Sequence, residues 1–237
     1  MDLSHLKNKV IVITGASRGI GRAMAELLAN WEVKLVLGAR DTEQLAKDFS
    51  GQDNVLSIQL DVRDETSVKQ FVTGAITQFG SVDVLINAAG VGKFSSILDS
   101  ATEDFDDMVA VNLRGTYLTC KYFGRVMKEH RGGQILNLVS IAGTTALPGN
   151  AGYSSSKFGV YGFTKVLQAE LRREGIRVTS VIPGAIASSF WDGIDSKPPV
   201  SQMIPLQSIT EHLAFLMSQP ENSVVDEITI MPPGGIL

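Results

Sequence analysis

Short apolar runs that alternate with helical patterns constrain the fold of this chain more than any other feature of its sequence. The runs are five or six residues long and rich in Val, Ile and Leu, as expected of strands buried on both faces. Because strands that alternate with helices pair in parallel through right-handed crossovers, the sequence predicts an α/β fold with a doubly wound parallel sheet. We expect about seven strands, at Val10–Thr14, Lys34–Gly38, Val55–Gln59, Val82–Asn87, Gln134–Val139, Arg177–Ile182 and Glu227–Met231, with helices on both faces.

The segments between these strands have helical periodicity or the composition of loops. Asp41 and Gln44 have the spacing of a capping box, with Asp41 as the N-cap of a helix. An irregular stretch at about 185–209 follows Pro183 and Gly184, and we interpret it as a substrate lid because long loops in compact domains are usually functional. No linker or repeat divides the chain, so we expect residues 1–237 to form one domain. Helices are predicted at Gly21–Ala29, Glu65–Phe79, Thr102–His130, Tyr153–Glu174 and Glu211–Met217.

Composition excludes several classes of function. The 237 residues carry a net charge of −4, which argues against a general nucleic-acid binder because such a protein needs a basic face. Cys120 is the single cysteine and the three histidines are scattered, so we expect neither a disulfide nor a metal site. The first nine residues lack the apolar core of a signal peptide, and no apolar run approaches the ~20 residues of a membrane span. We therefore expect a cytoplasmic protein that binds no membrane.

Tyr153 and Lys157 have the spacing that places two side chains on one face of a helix. A free phenol has a pKa near ~10 and exchanges protons poorly at neutral pH. An ammonium group at ~4 Å stabilises the phenolate by roughly 4 kcal/mol at an effective dielectric constant near 20, which corresponds to about 3 pKa units. The spacing therefore predicts a tyrosine of lowered pKa that acts as an acid or base. An ordinary solvated side-chain pair is the alternative.

Three glycines, Gly15, Gly19 and Gly21, lie between the first strand and the first helix, in the segment T-G-A-S-R-G-I-G at 14–21. Their G-x-x-x-G-x-G spacing departs from the G-x-G-x-x-G dinucleotide pattern. The physical basis is the same, because glycines let the backbone approach a pyrophosphate and the helix N-terminus favours an anion. We predict nucleotide binding here, and an ordinary glycine-rich turn is the alternative.

The choice between NAD and NADP depends on the end of the second strand. An acidic residue there binds the ribose 2′-hydroxyl, whereas an arginine binds a 2′-phosphate. Arg40 stands at this end and Arg18 lies in the glycine turn, so the pair favours NADP(H). Asp41 is the acidic counter-candidate, which we assign to the capping box, and solvated arginines are the alternative reading.

Taken together, these motifs resemble those of the short-chain dehydrogenase/reductase family almost from end to end, which implies a Rossmann fold and an oxidoreductase. The resemblance implies that Tyr153 passes a proton to or from the substrate oxygen, that Ser140 holds this oxygen, and that Lys157 lowers the tyrosine pKa and binds the nicotinamide ribose. It implies that Asn112 holds a water that links Lys157 to solvent. The resemblance is carried by the glycine turn at 14–21, Asp61 and Val62, Asn87 to Gly90, Asn112, Ser140, Tyr153 and Lys157, and Pro183 and Gly184.

The resemblance also implies a set of residues that bind NADP(H). Asp61 and Val62 receive the adenine, and the backbone at Pro183, Gly184 and Ile186 orients the carboxamide. Ser188 stands where many relatives have a threonine. As alternatives, Ser140 only caps its loop and Asp61 is only a turn residue. The full set is Gly15, Ser17, Arg18, Gly19, Ile20, Gly21, Arg40, Asp61, Val62, Asn87, Ala88, Gly90, Tyr153, Lys157, Pro183, Gly184, Ile186 and Ser188.

The leading function that the resemblance implies is NADP(H)-dependent reduction of a ketone to a secondary alcohol, and the chain looks most like the 3-oxoacyl-[acyl-carrier-protein] reductases. An acidic carrier needs a basic docking patch, for which the candidates are Lys128, Arg131, Arg172 and Arg173; ordinary solvated charges are the alternative. The competing functions are a carbonyl reductase of free small or xenobiotic ketones and a catalytically silent NADP-sensing protein.

The lid and the two long helices suggest what the protein binds. Apolar residues in the lid favour an apolar or amphipathic substrate, unless they fold back onto the core. In the family the long helices pair in dimers and tetramers, so we expect a homo-oligomer, with a tetramer ahead of a dimer; helices that only cover the sheet are the alternative. The residues concerned are Phe190, Trp191, Ile194, Met203 and Ile204 in the lid, and Leu118, Tyr122, Phe123, Phe158, Tyr161 and Phe163 on the helices.

Overall fold

A computed structural model describes residues 4–194 and 197–237, and a seven-stranded parallel sheet lies at its centre. The strand order is β3-β2-β1-β4-β5-β6-β9, so the chain reverses direction across the sheet between β1 and β4. The prediction of a doubly wound parallel sheet is confirmed. The sheet strands are β1 (Val10–Thr14), β2 (Lys34–Ala39), β3 (Val55–Gln59), β4 (Val84–Asn87), β5 (Gly133–Leu138), β6 (Ile176–Pro183) and β9 (Glu227–Ile230).

Helices cover both faces of the sheet, because the strand side chains point alternately to two apolar clusters. Ile11 and Ile13 of β1 belong to one cluster, and Val10 and Val12 belong to the other. The first cluster lies beneath α1 and α7, and the second beneath α3, α5 and α6. The helices are α1 (Gly19–Ala29), α2 (Glu43–Asp48), α3 (Glu65–Phe79), α4 (Thr102–Met108), α5 (Gly115–Glu129), α6 (Ala151–Leu171) and α7 (Leu206–Met217).

The long helix predicted at Thr102–His130 contains a π-helical turn at Val109–Arg114, between α4 and α5. This turn includes Asn112, whose side chain is fully buried and bound to other parts of the chain. A π-helical turn inside an α-helix often occurs at a functional site. Helical periodicity predicted the helix, but it carried no signal for this local change in winding.

The capping box predicted at Asp41 and Gln44 is wrong. The N-cap of α2 is Thr42, whose own side chain makes no capping hydrogen bond. The Asp41 carboxylate accepts a hydrogen bond from the Glu43 N–H, while Gln44 donates to Asp48 one turn later in the helix. Competing local hydrogen bonds therefore replaced the reciprocal pair that the spacing suggested.

The described parts of the predicted lid, residues 185–194 and 197–209, contain regular structure that the sequence did not indicate; residues 195 and 196 lie outside the described residues. Two short strands, β7 (Ile186–Ala187) and β8 (Ile204–Pro205), pair in parallel. The lid residues Met203 and Ile204 are buried in the core, whereas Phe190 and Trp191 lie in a 3₁₀ turn at 189–191. The last helix begins at Leu206 instead of Glu211. The apolar residues of this segment therefore divide between the core and a cavity.

The long helices α5 and α6 have both inward and outward apolar residues. Leu118 and Phe123, which the sequence analysis assigned to a subunit surface, are buried against the sheet. Phe158 remains 43% exposed, as expected of an outward position. Two further outward residues, Tyr117 and Val166, were not singled out from the sequence.

Candidate active site

A cavity of about 810 Å³ opens at the carboxyl ends of the strands, where the strand order reverses between the paired strands β1 and β4. Ligands of doubly wound sheets bind in this crevice. Of the residues assigned to NADP(H), sixteen line the cavity: Gly15, Ser17, Arg18, Gly19, Ile20, Arg40, Asp61, Val62, Ala88, Gly90, Tyr153, Lys157, Pro183, Gly184, Ile186 and Ser188. Gly21, Asn87 and the catalytic candidate Asn112 are not among the lining residues.

Gly15 and Gly19 adopt the positive φ values that a tight strand-to-helix turn requires, +67° and +56°. A Cβ on Gly15 would lie 2.7 Å from the Cα of Ala89, so this glycine lets two loops of the cavity touch. A Cβ on Gly19 would meet no atom within 4 Å, so it would occupy space beside the cavity. No side chain caps the N-terminus of α1, which leaves its first N–H groups for an anion.

Gly21 supports this turn from behind. A Cβ at Gly21 would lie 2.4 Å from the carbonyl oxygen of Gly15. The contact explains why glycine is needed here, and the assignment of Gly21 to cofactor binding stays a prediction.

Asn87 also lies below the cavity, in a buried polar network. Its amide donates to the Asn137 side-chain oxygen at 2.8 Å, and its own oxygen accepts from the Thr119 hydroxyl at 2.7 Å. Asn137 donates in turn to Thr164 of α6 at 3.0 Å. Asn87 therefore ties β4 to β5 and α5, whereas the three residues that follow it, Ala88, Ala89 and Gly90, line the cavity.

Arg18 and Arg40 both line the cavity and have no ion pair within the described part of the chain. By contrast, Arg22 in the same region is bound to Glu26 and Asp48. The two unpaired guanidinium groups are therefore the ones available for a phosphate at the end of β2.

Asp61 lines the cavity and also shapes a turn, and the contact with adenine that the resemblance implies stays a prediction. Its carboxylate accepts from the Arg63 backbone N–H at 3.0 Å and pairs with the Arg63 guanidinium at 2.7 Å. The hydrogen bonds from Arg63 hold the pKa of this carboxyl below its usual value. Arg63 also binds Asp107 at 2.9 Å and lines the cavity, a role that the sequence analysis missed.

Tyr153 lies in the first turn of α6, beside Ser140 at the end of β5. Gly143 permits this approach, since a Cβ there would lie 2.7 Å from the Lys157 carbonyl oxygen. The Ser140 hydroxyl accepts from the Ala142 N–H at 3.1 Å and also hydrogen-bonds to Tyr153. Ser140 therefore caps its loop and contacts the tyrosine as well.

The predicted lowering of the tyrosine pKa by Lys157 is wrong for the polypeptide by itself. Burial raises the pKa of Tyr153 to about 12, and the hydrogen bond from Ser140 only partly opposes this shift. The Lys157 ammonium lies 5.8 Å from the centre of the tyrosine ring and donates to the Leu138 carbonyl oxygen at 2.7 Å. Burial lowers the pKa of Lys157 to about 8. The lysine is thus anchored to β5 and carries a charge that the site stabilises poorly.

Asn112 holds the loop after β4 in place beneath Lys157. Its side chain accepts from the Val91 N–H and donates to the Val91 carbonyl, each at 2.9 Å. It also donates to Ser156 at 2.9 Å, and Ser156 donates to the Tyr153 carbonyl at 2.7 Å. The π-helical turn at 109–114 therefore connects to the first turn of α6. The water that the resemblance implies at Asn112 stays a prediction.

The aromatic wall of the cavity was only partly expected. Phe190 and Trp191 were placed in the lid from the sequence, but Phe94, in the loop after β4, was missed because a single aromatic residue in a loop carries no periodic signal. Ile236 and Leu237 also line the cavity. Near the C-terminus, Pro232 packs against Gly184 of the cavity wall.

Two of the four residues of the basic patch proposed for a carrier protein, Lys128 and Arg172, form ion pairs. Lys128 pairs with Glu174 at 2.8 Å, and Arg172 pairs with Asp226 at 2.6 Å. These residues lie at the C-terminal ends of α5 and α6, next to where β5 and β6 begin. Within one chain, the patch is therefore at the opposite edge of the sheet from the cavity.

Neither a metal-ion site nor a membrane-spanning helix is found in the described residues, 4–194 and 197–237. No group of three or more His, Cys, Asp and Glu is placed to hold a metal ion there. None of the helices in these ranges combines the length and apolar character needed to cross a membrane.

The sheet, the glycine turn and the Ser140–Tyr153–Lys157 group define a class of dinucleotide-dependent oxidoreductases. The family model of the short chain dehydrogenases matches residues 9–198. A 3-oxoacyl-[acyl-carrier-protein] reductase of Synechocystis sp. is 30% identical over 246 residues, which cover 99% of each chain. The chain belongs to the short-chain dehydrogenase/reductase family.

Two solved structures have the same fold. One is an alcohol dehydrogenase from the archaeon Thermococcus sibiricus complexed with 5-hydroxy-NADP; its TM-score is 0.86 at 33% identity, over 94% of this chain and 96% of that one. The other is a metagenomic short-chain oxidoreductase in complex with NADP, with a TM-score of 0.82 at 32% identity, over 96% of this chain and 98% of that one.

The burial of Lys157 predicts that this residue lowers the free energy of unfolding at neutral pH. Because its pKa is lowered to about 8, the unfolded chain binds this proton more tightly, and charging the lysine at pH 7 weakens the fold. We expect Lys157→Met to raise the free energy of unfolding at pH 7 by about 1–2 kcal/mol, after allowing for the lost bond to Leu138.

Urea unfolding of both proteins between pH 7 and 10.5 measures this effect. The advantage of the variant should shrink as the pH rises through about 8, where the native lysine loses its proton. Lys165→Met serves as the control, because Lys165 lies on the same helix but pairs with Glu227 near the surface. A variant that is less stable than the native protein at pH 7 would contradict the prediction.

Proposed function

We propose that this protein is an NADP(H)-dependent oxidoreductase that reduces a ketone to a secondary alcohol, with Tyr153 as the acid/base residue. The observation that carries the proposal is the contact of Tyr153 with Ser140, beside the buried Lys157, in a cavity that continues to the glycine turn. Family membership supports an oxidoreductase that acts on CH–OH or C=O groups.

The residues around the cavity fit a dinucleotide that carries a 2′-phosphate. The uncapped N-terminus of α1 and the open space at Gly19 suit the pyrophosphate. Arg18 and Arg40 supply two unpaired cations at the end of β2, where the 2′-phosphate belongs. The binding of NADP by two structural relatives supports the same choice.

In this proposal each side chain of the group has a task in ketone reduction. The hydride is supplied by the reduced nicotinamide ring. Tyr153 is protonated at neutral pH, because burial raises its pKa to about 12, and we propose that it gives this proton to the substrate oxygen as the negative charge on that oxygen develops. Ser140 donates a hydrogen bond to the same oxygen as its negative charge grows. The ammonium of Lys157, anchored to the Leu138 carbonyl, would bind the nicotinamide ribose.

Two substrate classes remain after the site has been described. Similarity to a 3-oxoacyl-[acyl-carrier-protein] reductase favours a 3-oxoacyl thioester. The ion pairs of Lys128 and Arg172, and the aromatic cavity wall, favour a free ketone without a protein carrier. We expect reduction to be the working direction.

We also propose that the protein is a homo-oligomer built on α5 and α6. Phe158 and Val166 of α6 are 43% and 56% exposed, and Tyr117 of α5 contacts Phe163 of α6 with 5.9 Å between ring centres. Exposed apolar residues on neighbouring helices form a patch of the kind that a second copy covers.

The role of Tyr153 is tested by Tyr153→Phe, which removes the transferable proton and leaves the ring. We expect kcat for ketone reduction to fall by about 10²–10⁴-fold while NADPH still binds. The measurement is NADPH oxidation at ~340 nm, with NADPH binding followed by fluorescence. Tyr161→Phe is the control, since Tyr161 lies on the same helix and donates to Glu227. A protein that senses NADP without turnover would show no ketone reduction even before substitution.

The nucleotide preference is tested by Arg40→Ala and Arg18→Ala. Loss of a charge-assisted bond to the 2′-phosphate should weaken NADPH binding by about 10–100-fold and change NADH binding little. Arg173→Ala, at the opposite edge of the sheet, is the control. Tighter binding of NADH than NADPH by the native protein would overturn the assignment.

The assembly is tested by light scattering at micromolar concentration, where we expect the mass of two or four chains. Replacing Phe158 and Val166 together with Asp should yield smaller species, because negative charge on the exposed face of α6 opposes association. Phe215→Asp alters an equally exposed aromatic residue on α7 and should not change the mass. A native monomer would contradict the proposal.

A further inference from the structure

Two phenylalanines pack directly on the ring of Tyr153. The ring centre of Phe94 lies 5.6 Å from that of Tyr153 with the planes at 86°, and Phe190 lies 5.5 Å away at 50°. Phe94 and Phe190 also contact each other at 6.1 Å. We call Phe94 and Phe190 the aromatic clamp. The residue that carries the proton is therefore enclosed on two sides by aromatic rings from different loops.

The Phe190 half of the clamp is held in position by the lid. The Ser188 hydroxyl accepts from the Phe190 N–H at 3.4 Å, and Trp191 donates its indole N–H to the Ile186 carbonyl at 2.9 Å. A Cβ at Gly92 would lie 2.4 Å from Cζ of Phe190, so the ring rests directly on the backbone of the loop after β4. Phe190 thus closes the lid against this loop beside the tyrosine.

The Phe94 half is held by the loop that it belongs to. Ser95 donates its backbone N–H to the Gly149 carbonyl at 2.9 Å and forms a bridge with Asn150, immediately before α6. Trp191 contacts both clamp residues, at 5.8 Å from Phe94 and 5.5 Å from Phe190. The clamp is consequently supported from the lid, from the β4 loop and from the start of the tyrosine's own helix.

We infer that the aromatic clamp selects ketones that carry an aryl ring on the carbonyl carbon. This inference rests on the proposed function and names a substrate class for the same site. The carbonyl oxygen must reach Tyr153 and Ser140, so a substituent on the carbonyl carbon has to lie beside the rings that flank the tyrosine. Leu147 and Pro148 line the cavity along with the clamp.

An aryl substituent gains more from this surface than an aliphatic one of the same size. Edge-to-face and tilted ring contacts contribute beyond the area that they bury. A flat ring also loses little conformational freedom when bound, whereas a flexible acyl chain must give up several rotamers. The aromatic ring of the substrate can therefore add further ring contacts, at the distances found within the clamp.

The test compares acetophenone with cyclohexyl methyl ketone, which has a saturated ring of similar size, using NADPH oxidation by the full-length protein. The two ketones differ in intrinsic reactivity, so the quantity to compare is the ratio of their kcat/KM values in native protein and variants. We expect Phe94→Leu and Phe190→Leu each to lower the ratio of acetophenone to cyclohexyl methyl ketone by about two- to tenfold. Phe215→Leu, on the outer face of α7, should leave it unchanged.

A second measurement needs no variant and covers the case in which the leucine proteins fail to fold. Benzamide and cyclohexanecarboxamide, which are not reduced, are compared as inhibitors of the native protein, and benzamide should have the lower inhibition constant. Equal inhibition constants, or an unchanged kcat/KM ratio in folded clamp variants, would overturn the inference while leaving ketone reduction intact.

The same assays separate this inference from the proposed function. Acetoacetyl thioester turnover with no acetophenone turnover would overturn the aryl preference and retain Tyr153-dependent reduction. NADPH binding with no turnover on any of the three ketones would overturn the proposed function, and the inference would fall with it.

Discussion

The contact between the turn after β1 and the turn after β4 is the constraint on which the site depends. The Thr14 hydroxyl accepts from the backbone N–H groups of Ala88 and Ala89, each at 3.2 Å, and Gly15 leaves no room for a side chain between the two turns. These bonds join the two halves of the sheet where its strand order reverses. The crevice, the uncapped N-terminus of α1 and the floor of the cavity all take their positions from this contact.

Polar residues support the Ser140, Tyr153 and Lys157 group from below, and aromatic residues pack on it from above. Below it, Asn112 connects the β4 loop to the first turn of α6, and the Asn87–Asn137 pair connects the strands. Above it, the rings of Phe94 and Phe190 pack on the tyrosine ring. This burial raises the pKa of Tyr153 and lowers that of Lys157, so the fold holds both groups in protonation equilibria that differ from those in water. Shifted pKa values of this kind are typical of functional sites.

Some local predictions failed because spacing does not determine which partner a side chain meets. The i,i+4 spacing placed Lys157 on the same side of α6 as Tyr153, yet the ammonium is anchored to the Leu138 carbonyl of β5. Asp41 had the spacing of a capping box, but its carboxylate accepts a hydrogen bond from the backbone N–H of Glu43, only two residues further along the chain. In both cases a nearby backbone group competed successfully for the side chain.

The sequence by itself determined the parallel sheet, the glycine turn and the identity of the Ser140, Tyr153 and Lys157 group. Strand alternation and glycine conformation act over a few residues, so they can be read without knowing the neighbours in space. Only the tertiary structure decided that Phe94 meets Phe190, that Gly21 and Asn87 lie behind the cavity, and that Lys128 and Arg172 are paired. These outcomes depend on contacts between residues far apart in the chain, and such contacts leave no periodic or local pattern in the sequence.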